Sequence, residues 1–412
     1  MLLCVLALPL CGQTTSAPPS PPPASDDPQT VKALIDRIDA LEQRVHQLEA
    51  EKNNNTSSSS SSTTTPPPVT TEAPTSVDTS HETMGGAFPH LQIRGFTDVS
   101  FHTPAERGTS NTFALGQFDL FVSSRISDHV TMLSEVNFEA GEDNSVGVDL
   151  ERMLVNFNVN DYLHVSAGRY HTAIGYYSTA YHHSAWLQTA VDRPLLFAFE
   201  DGGGPLPIHN VGLTANGAIP SGHANLHWVA EVGNGRSSRN SLVEPVQNVQ
   251  DENNYKALNF AVYSHPDFLK GLQIGASVYH DRLMPDGLPR VGQTIMAGHV
   301  VYEGGKFEWL NEFMVLRHAV DGGPTFHTPA GYTLISRKWG QFRPYFRYQF
   351  INSNLLDPIF PDLGLREGPG AGVRYDLNAF TAFKIQYDYS THKTLTDYGV
   401  SNIVRAQAAF TF

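Results

Sequence analysis

Past its first ten residues the chain has no run of eighteen apolar residues. A helix able to cross a bilayer is therefore excluded from the body of the protein. Cysteine occurs only at Cys4 and Cys11, both within the N-terminal leader, so the processed protein is left without a disulfide framework. Basic residues are few: 27 Lys and Arg stand against 41 Asp and Glu, for a net charge of −14. That balance is the wrong one for a nucleic-acid partner, which requires a basic face. There is no HExxH helix and no cysteine to complete a metal set, and no metal or cofactor is expected. The run Asp201-Gly202-Gly203-Gly204-Pro205 is a turn and not a phosphate-binding loop, because no Lys-Ser/Thr follows it. A mean hydropathy of −0.26 still leaves one membrane class open. Strands that alternate apolar and polar residues average to a bland value.

The last stretch, Ser401 to Phe412, has that alternation. Val404, Ala406, Ala408, Phe410 and Phe412 fall on one face of an extended strand, and Ile403, Arg405, Gln407, Ala409 and Thr411 on the other. A transmembrane barrel strand needs this pattern when lipid lies outside and water inside. The aromatic ending resembles the C-terminal signal of Gram-negative outer-membrane barrels. That resemblance implies recognition of Phe412 by the barrel-assembly machinery.

The chain ahead of the barrel divides by composition. Residues 1–17 read as an export signal whose usual basic start is missing, so its beginning is expected upstream. Lipidation at Cys11 is disfavoured because Leu10 is too large for the position before it. Residues 18–30 form a Pro-rich spacer. In residues 31–51, Val31, Leu34, Ile38, Leu41, Val45 and Leu48 follow a 3-4-3-4-3 spacing, the heptad pattern of a short coiled coil. β-branched residues at one heptad position with Leu at the other favour two strands. Against that, two segments, Arg37-Ile38-Asp39-Ala40-Leu41-Glu42 and Arg44-Val45-His46-Gln47-Leu48-Glu49, resemble the R-h-x-x-h-E trimerisation motif of short coiled coils. The resemblance implies Arg37, Glu42, Arg44 and Glu49 as interchain pairs in a homotrimer. A single amphipathic helix is the alternative. Residues 52–90 are Asn, Ser, Thr and Pro with little to bury, a disordered linker.

From residue 91 to 412 the chain breaks into sixteen strand-like segments, from Leu91–His102 to Asn402–Phe412. The fold class expected is all-β, a 16-stranded antiparallel transmembrane β-barrel carrying a short N-terminal coiled-coil helix on a disordered linker. Connections alternate short and long, as in barrels with turns on one side of the membrane and loops on the other. An even count leaves both ends on the turn side, which places the N-terminal region in the periplasm. Expected long loops include Ala319–Ala330, Asn352–Ala371 and Thr391–Ser401.

The third long loop, Thr172 to Asn210, is by far the longest and is rich in aromatics. A loop of that length in a compact domain is usually functional, and its aromatics should pack against something. General diffusion porins fold their third loop into the barrel. The architecture resembles theirs, and that of the phosphate-selective porins, which carry a comparable N-terminal extension. The resemblance implies a passive channel for small hydrophilic solutes and ions in the outer membrane, not an enzyme, with membrane lipids around it.

In such a channel selectivity is set by charged side chains at a constriction. Strand parity places Arg94, Arg125, Arg152, Arg343, Arg347, Arg374 and Arg405 toward the lumen. An arginine facing lipid at mid-membrane costs roughly 2–4 kcal/mol, which constrains these parities. Closure of the barrel makes the seven a contiguous basic wall, opposed by Asp192, Glu200 and Asp201 of the third loop. The alternative pairs each arginine with a neighbouring lumenal carboxylate such as Glu135, Glu139 or Asp388. His171, His182, His183 and His209 cluster around the same loop and read as polar lining rather than a metal site. Two rival functions are carried alongside the channel. One is a structural tether from outer membrane to cell wall, and the other is a hydrolase built on a barrel wall.

Overall fold

The structure, a computed structural model, describes residues 90–103, 110–140, 145–181, 185–198, 204–237, 250–361, 363–394 and 397–412. The expected signal peptide, spacer and heptad segment (with Ile38, Leu41, Val45, Leu48 and their flanking charges) lie outside the described residues. So do His182, His183, Glu200 and Asp201 of the third loop.

Among the described residues the chain forms sixteen strands. The first eight are β1 (His90–His102), β2 (Thr112–Arg125), β3 (Val130–Ala140), β4 (Val146–Asn160), β5 (Leu163–His171), β6 (His209–Ile219), β7 (Leu226–Gly233) and β8 (Ala257–Ser264). They are followed by β9 (Leu272–Leu283), β10 (Val291–Gly304), β11 (Phe307–Val320), β12 (Thr325–Arg337), β13 (Phe342–Asn352), β14 (Leu365–Asp376), β15 (Thr381–Lys393) and β16 (Tyr398–Thr411). Every strand is antiparallel to its sequence neighbours, and β1 pairs with β16 to close the barrel. Closure satisfies every ladder and leaves no edge, which is the condition for a sheet to stand in hydrocarbon.

The final residue completes the seam. Gly95 and Phe412 exchange two backbone hydrogen bonds of 3.0 Å, and the Phe412 ring stacks on Phe118 at 5.8 Å. A Cβ on Gly95 would lie 2.2 Å from that ring, so any larger residue here would displace the Phe412 side chain.

The two faces of the last strands follow the expected parity. On β15, Phe383, Ile385, Tyr387 and Tyr389 are exposed on the outer surface, while Lys384, Gln386 and Asp388 are buried inside. Around the ring the outward side chains form the apolar belt of a transmembrane barrel. From β9 to β13 the inner face departs from the polar rule. Ile295, Leu310, Met314, Leu316, Leu334 and Ile351 point inward and are buried in one hydrophobic cluster. These strands are apolar on both sides because the lumen there is filled by another part of the chain and not by water.

Strand limits shift where proline lies inside a strand. The sequence predicts Gly331–Lys338 and Gly372–Leu377, whereas β12 begins at Thr325 and β14 at Leu365. Pro329 lies opposite Val315 in the β11–β12 ladder and one residue outside the β12–β13 pairing, which starts at Ala330. Around Pro369 the β14–β15 pairing is interrupted between Glu367 and Gly370 and resumes in the same register. The longer strands shorten the expected loops to 321–324 and 353–364, and the last loop is likewise short, 394–397. The remaining long connections, 103–111, 141–145, 172–208, 234–256 and 284–290, share their end of the barrel with these.

Candidate functional site

The described residues of the third loop, 172–181, 185–198 and 204–208, turn into the barrel and lie against the inner wall. Its apolar residues Ile174, Tyr177, Leu196, Phe197, Leu206 and Ile208 are buried in the same cluster as the inward side chains of β9 to β13. Tyr177 and Phe197 stack at 5.2 Å, and each meets the Tyr332 ring edge-on at 5.9 Å. Burial of this kind removes the loop's backbone from water, so its N–H and C=O groups need partners in the wall.

The partners are sorted by charge. The first limb of the loop donates to carboxylates. Glu231 on β7 accepts the Ala173 N–H at 3.2 and 3.1 Å and the Asn259 side-chain amide at 2.8 Å. Glu312 on β11 accepts the N–H groups of Tyr176 at 2.6 Å and Tyr177 at 2.9 Å, with the Tyr332 hydroxyl at 2.8 Å. These hydrogen bonds meet the start of a single helical turn, α1 (Tyr177–Ala180). Glu303 accepts the hydroxyls of Tyr176 and Tyr181. Glu308 accepts the hydroxyl of Ser336 and, from the second limb, that of Thr189, each at 2.6 Å.

The second limb is held by cations that donate to its carbonyls. Arg374 reaches the carbonyls of Trp186 at 2.5 Å and Gln188 at 3.0 Å. Lys384 donates to the carbonyls of Ala185 and Ala190. Arg347, only 1 % exposed, donates to the Asp192 carbonyl at 2.8 Å and to its carboxylate at 2.6 Å. Arg343 lies 3.3 Å from the Thr189 hydroxyl and 3.5 Å from Glu308. Gln386 and Gln349 accept the N–H groups of Val191 and Leu195, both at 2.9 Å.

Charge reaches the open lumen where this second limb ends. The Asp192 side chain is 34 % exposed and that of Arg405 is 28 % exposed, with 3.6 Å between them. Asp388 lies 3.1 Å from Arg405 and 3.7 Å from Arg347, completing a four-membered ion cluster. The opposite wall, β3 to β6, carries a polar hydrogen-bonded network in which Glu135, Glu151, Ser166, His171 and His209 are buried. Arg152 pairs with Glu135, the Asn156 amide donates to Thr131 at 3.3 Å, and Ser166 donates to Asn156 at 2.7 Å. His209 lies 2.8 Å from Glu151, and the rings of His171 and His209 meet at 5.3 Å.

The seven arginines do not form one wall around the lumen. Arg343, Arg347, Arg374 and Arg405 are gathered on β13 to β16 about the second limb of the loop, with Asp192 among them. Arg152 is part-buried against Glu135, with its guanidinium 5.4 Å from the centre of the Phe121 ring. Arg125 is the last residue of β2, 2.8 Å from Asp128 in the following turn, and Arg94 is exposed on β1 opposite Phe121. Sequence reasoning passed over Glu231, Glu303, Glu308 and Glu312. The signal was available for two of them: Glu308 and Glu312 alternate with Leu310 and Met314 on one face of β11, acids set among apolar neighbours.

The chain matches no protein-family model and no curated protein. Solved structures resemble it throughout the barrel. The outer membrane channel DcaP of Acinetobacter baumannii aligns with a TM-score of 0.57 at 12% identity, over 80% of this chain and 99% of that one. An anion-selective porin from Comamonas acidovorans aligns with a TM-score of 0.56 at 12% identity, over 79% and 100% of the two chains. OmpF of Salmonella typhi aligns with a TM-score of 0.54 at 14% identity, over 78% and 97%. Together with the closed ring of sixteen strands, these similarities give the chain the fold of the outer-membrane porins.

Proposed function

We propose that the protein is a passive channel of a Gram-negative outer membrane, passing small hydrophilic solutes and ions through a lumen narrowed by the third loop. The observation that carries this reading is the one-sided seating of the loop. Carboxylates and cations fasten it to β7 and to β10 through β15, and an apolar core fills that half of the barrel. Transport is left to the polar half, lined by β1 to β6 and β16, where Asp192 and Arg405 face the lumen. A fixed acid and a fixed base at the edge of a narrowed passage set up a local field, the physical basis of charge selectivity.

In this reading the molecule works as a homotrimer without catalytic machinery, its short turns and N-terminal coil in the periplasm and its long loops outside. Phe412, which closes the seam on Gly95, is the residue offered to the barrel-assembly machinery. Planar-bilayer recording of the purified full chain is the test. Discrete conductance steps in groups of three support the trimeric channel. Silence accompanied by ester hydrolysis would replace it with an enzyme, and silence without hydrolysis would leave only a tether.

A further inference from the structure

The outward face of β9 to β12 differs from the rest of the apolar belt in two ways. At mid-height it is hollowed by a groove of about 850 Å³, floored by Gly298, Asn311, Gly331 and Thr333 and walled by Met296 and Phe313. Gly298 has open space before it: an added Cβ would meet nothing nearer than a backbone oxygen 3.9 Å away. Toward the long-loop end lies a cross-strand row of polar and basic residues. Thr294 pairs with His280 on one side and Arg317 on the other, and Arg317 pairs with His327. Arg282 stands one row further, opposite Gly292.

The row directly below, Val278, Met296, Val315 and Pro329, is apolar and adjoins the groove. Two residues along a strand is about 7 Å, so the basic row is at headgroup distance from the groove. Among the described residues the side chains of Arg317 and His327 have no ion pair or hydrogen bond, and the Arg282 guanidinium rests on the Tyr255 ring at 4.6 Å. His280 meets the Thr294 hydroxyl at 3.0 Å. The acids nearby are occupied or turned away: Asp321 pairs with Arg290, Asp251 with Lys256, and Asp281 points inward and is buried. On β2 and β4, residues next to long loops include exposed Phe113, Val146 and Val148 instead.

We propose that this face binds one phosphorylated lipid of the leaflet at the long-loop end, with its phosphate on Arg282, Arg317 and the two histidines and an acyl chain in the groove beneath. A cationic row over an apolar hollow complements an anionic headgroup over a hydrocarbon tail, and lipid is the medium this belt faces. An anionic headgroup gains from each arginine near the membrane surface, by about fivefold in affinity. The site needs only that the barrel be embedded, so it stands or falls apart from conduction.

Native mass spectrometry of the full chain in detergent, titrated with lipid A or with phosphatidylcholine, tests the assignment. The expected result is preferential retention of lipid A, reduced about fivefold in Arg317→Gln and further in Arg282→Gln/Arg317→Gln. Gly298→Leu, which fills the groove, should weaken both lipids. Equal retention of the two lipids by the wild type, or no change in the arginine variants, would overturn the proposal. Displacement of lipid A by millimolar inorganic phosphate would reduce the site to a simple anion site and overturn it too. A change in chain number on Gly298→Leu, with lipid retention intact, would make the groove an interface between copies. Heat-modifiable gel migration verifies that each variant keeps its barrel. Single-channel conductance reports separately on the channel reading and should not move in any of these variants.

Discussion

Arg374 and Lys384 stand opposite each other across the β14–β15 ladder, two cations abreast, and both point into carbonyl groups of the third loop. Like charges opposite one another in a sheet repel. Asp376, 2.7 Å from the Arg374 guanidinium, and the loop's carbonyl dipoles together offset that repulsion, so seating the loop adds to the stability of the pair. Fastened in this way, the loop is a fixed lining of the barrel.

Lys384→Met should therefore loosen the second limb. It strands the Ala185 and Ala190 carbonyls inside the barrel, at a cost of about 1–3 kcal/mol for the groups left unpaired. The expected outcome is a lower thermal transition and a noisier or larger single-channel conductance. A variant with wild-type melting and wild-type current would show that these contacts do not hold the loop.

Glu312→Gln should free the first limb. The amide keeps one acceptor oxygen where the carboxylate offers two, so either the Tyr176 or the Tyr177 N–H loses its partner. Hydrogen exchange followed by mass spectrometry should show faster exchange over residues 172–181, with the strands unaffected. Uniform protection of that segment would count against the clamp.

Asp192→Asn and Arg405→Gln should move ion preference in opposite directions. Removing the carboxylate leaves Arg347 and Arg405 with Asp388 alone and favours anions. Removing Arg405 leaves Asp192 and Asp388 against one buried guanidinium and favours cations. Reversal potentials in a salt gradient read both. Shifts of the same sign, or none in either variant, would place the selectivity elsewhere in the lumen.

Deleting residues 25–52 should weaken the proposed trimer while the barrel still folds, because the expected heptads lie in that segment and the strands do not. Analytical ultracentrifugation in detergent measures the first effect and heat-modifiable migration the second. Trimers of undiminished stability would assign assembly to the barrel alone.

The alternation on β15 and β16 is legible in the sequence because lipid and lumen impose opposite polarity on neighbouring residues. Lys384, Gln386, Asp388, Arg405 and Gln407 take their faces from that rule. On β10 and β11 the rule fails. Ile295 and Met296, or Leu310 and Trp309, are apolar on both sides of the sheet, and nothing local says which side meets the loop. Parity sets Arg347 in the lumen, yet its near-complete burial depends on Asp192, 155 residues away in sequence.

What the chain determined by itself is what a period of two and the spacing of turns can encode: strand number, the lipid-facing side of the polar strands, and a long aromatic loop in need of a surface. The tertiary structure decided where that loop lies, which wall is filled and which is left polar. It also decided which arginines are anchors and which meet the lumen. Those outcomes follow from matching buried backbone groups to charged side chains on strands far apart in sequence, and such pairings exist only once the barrel has closed.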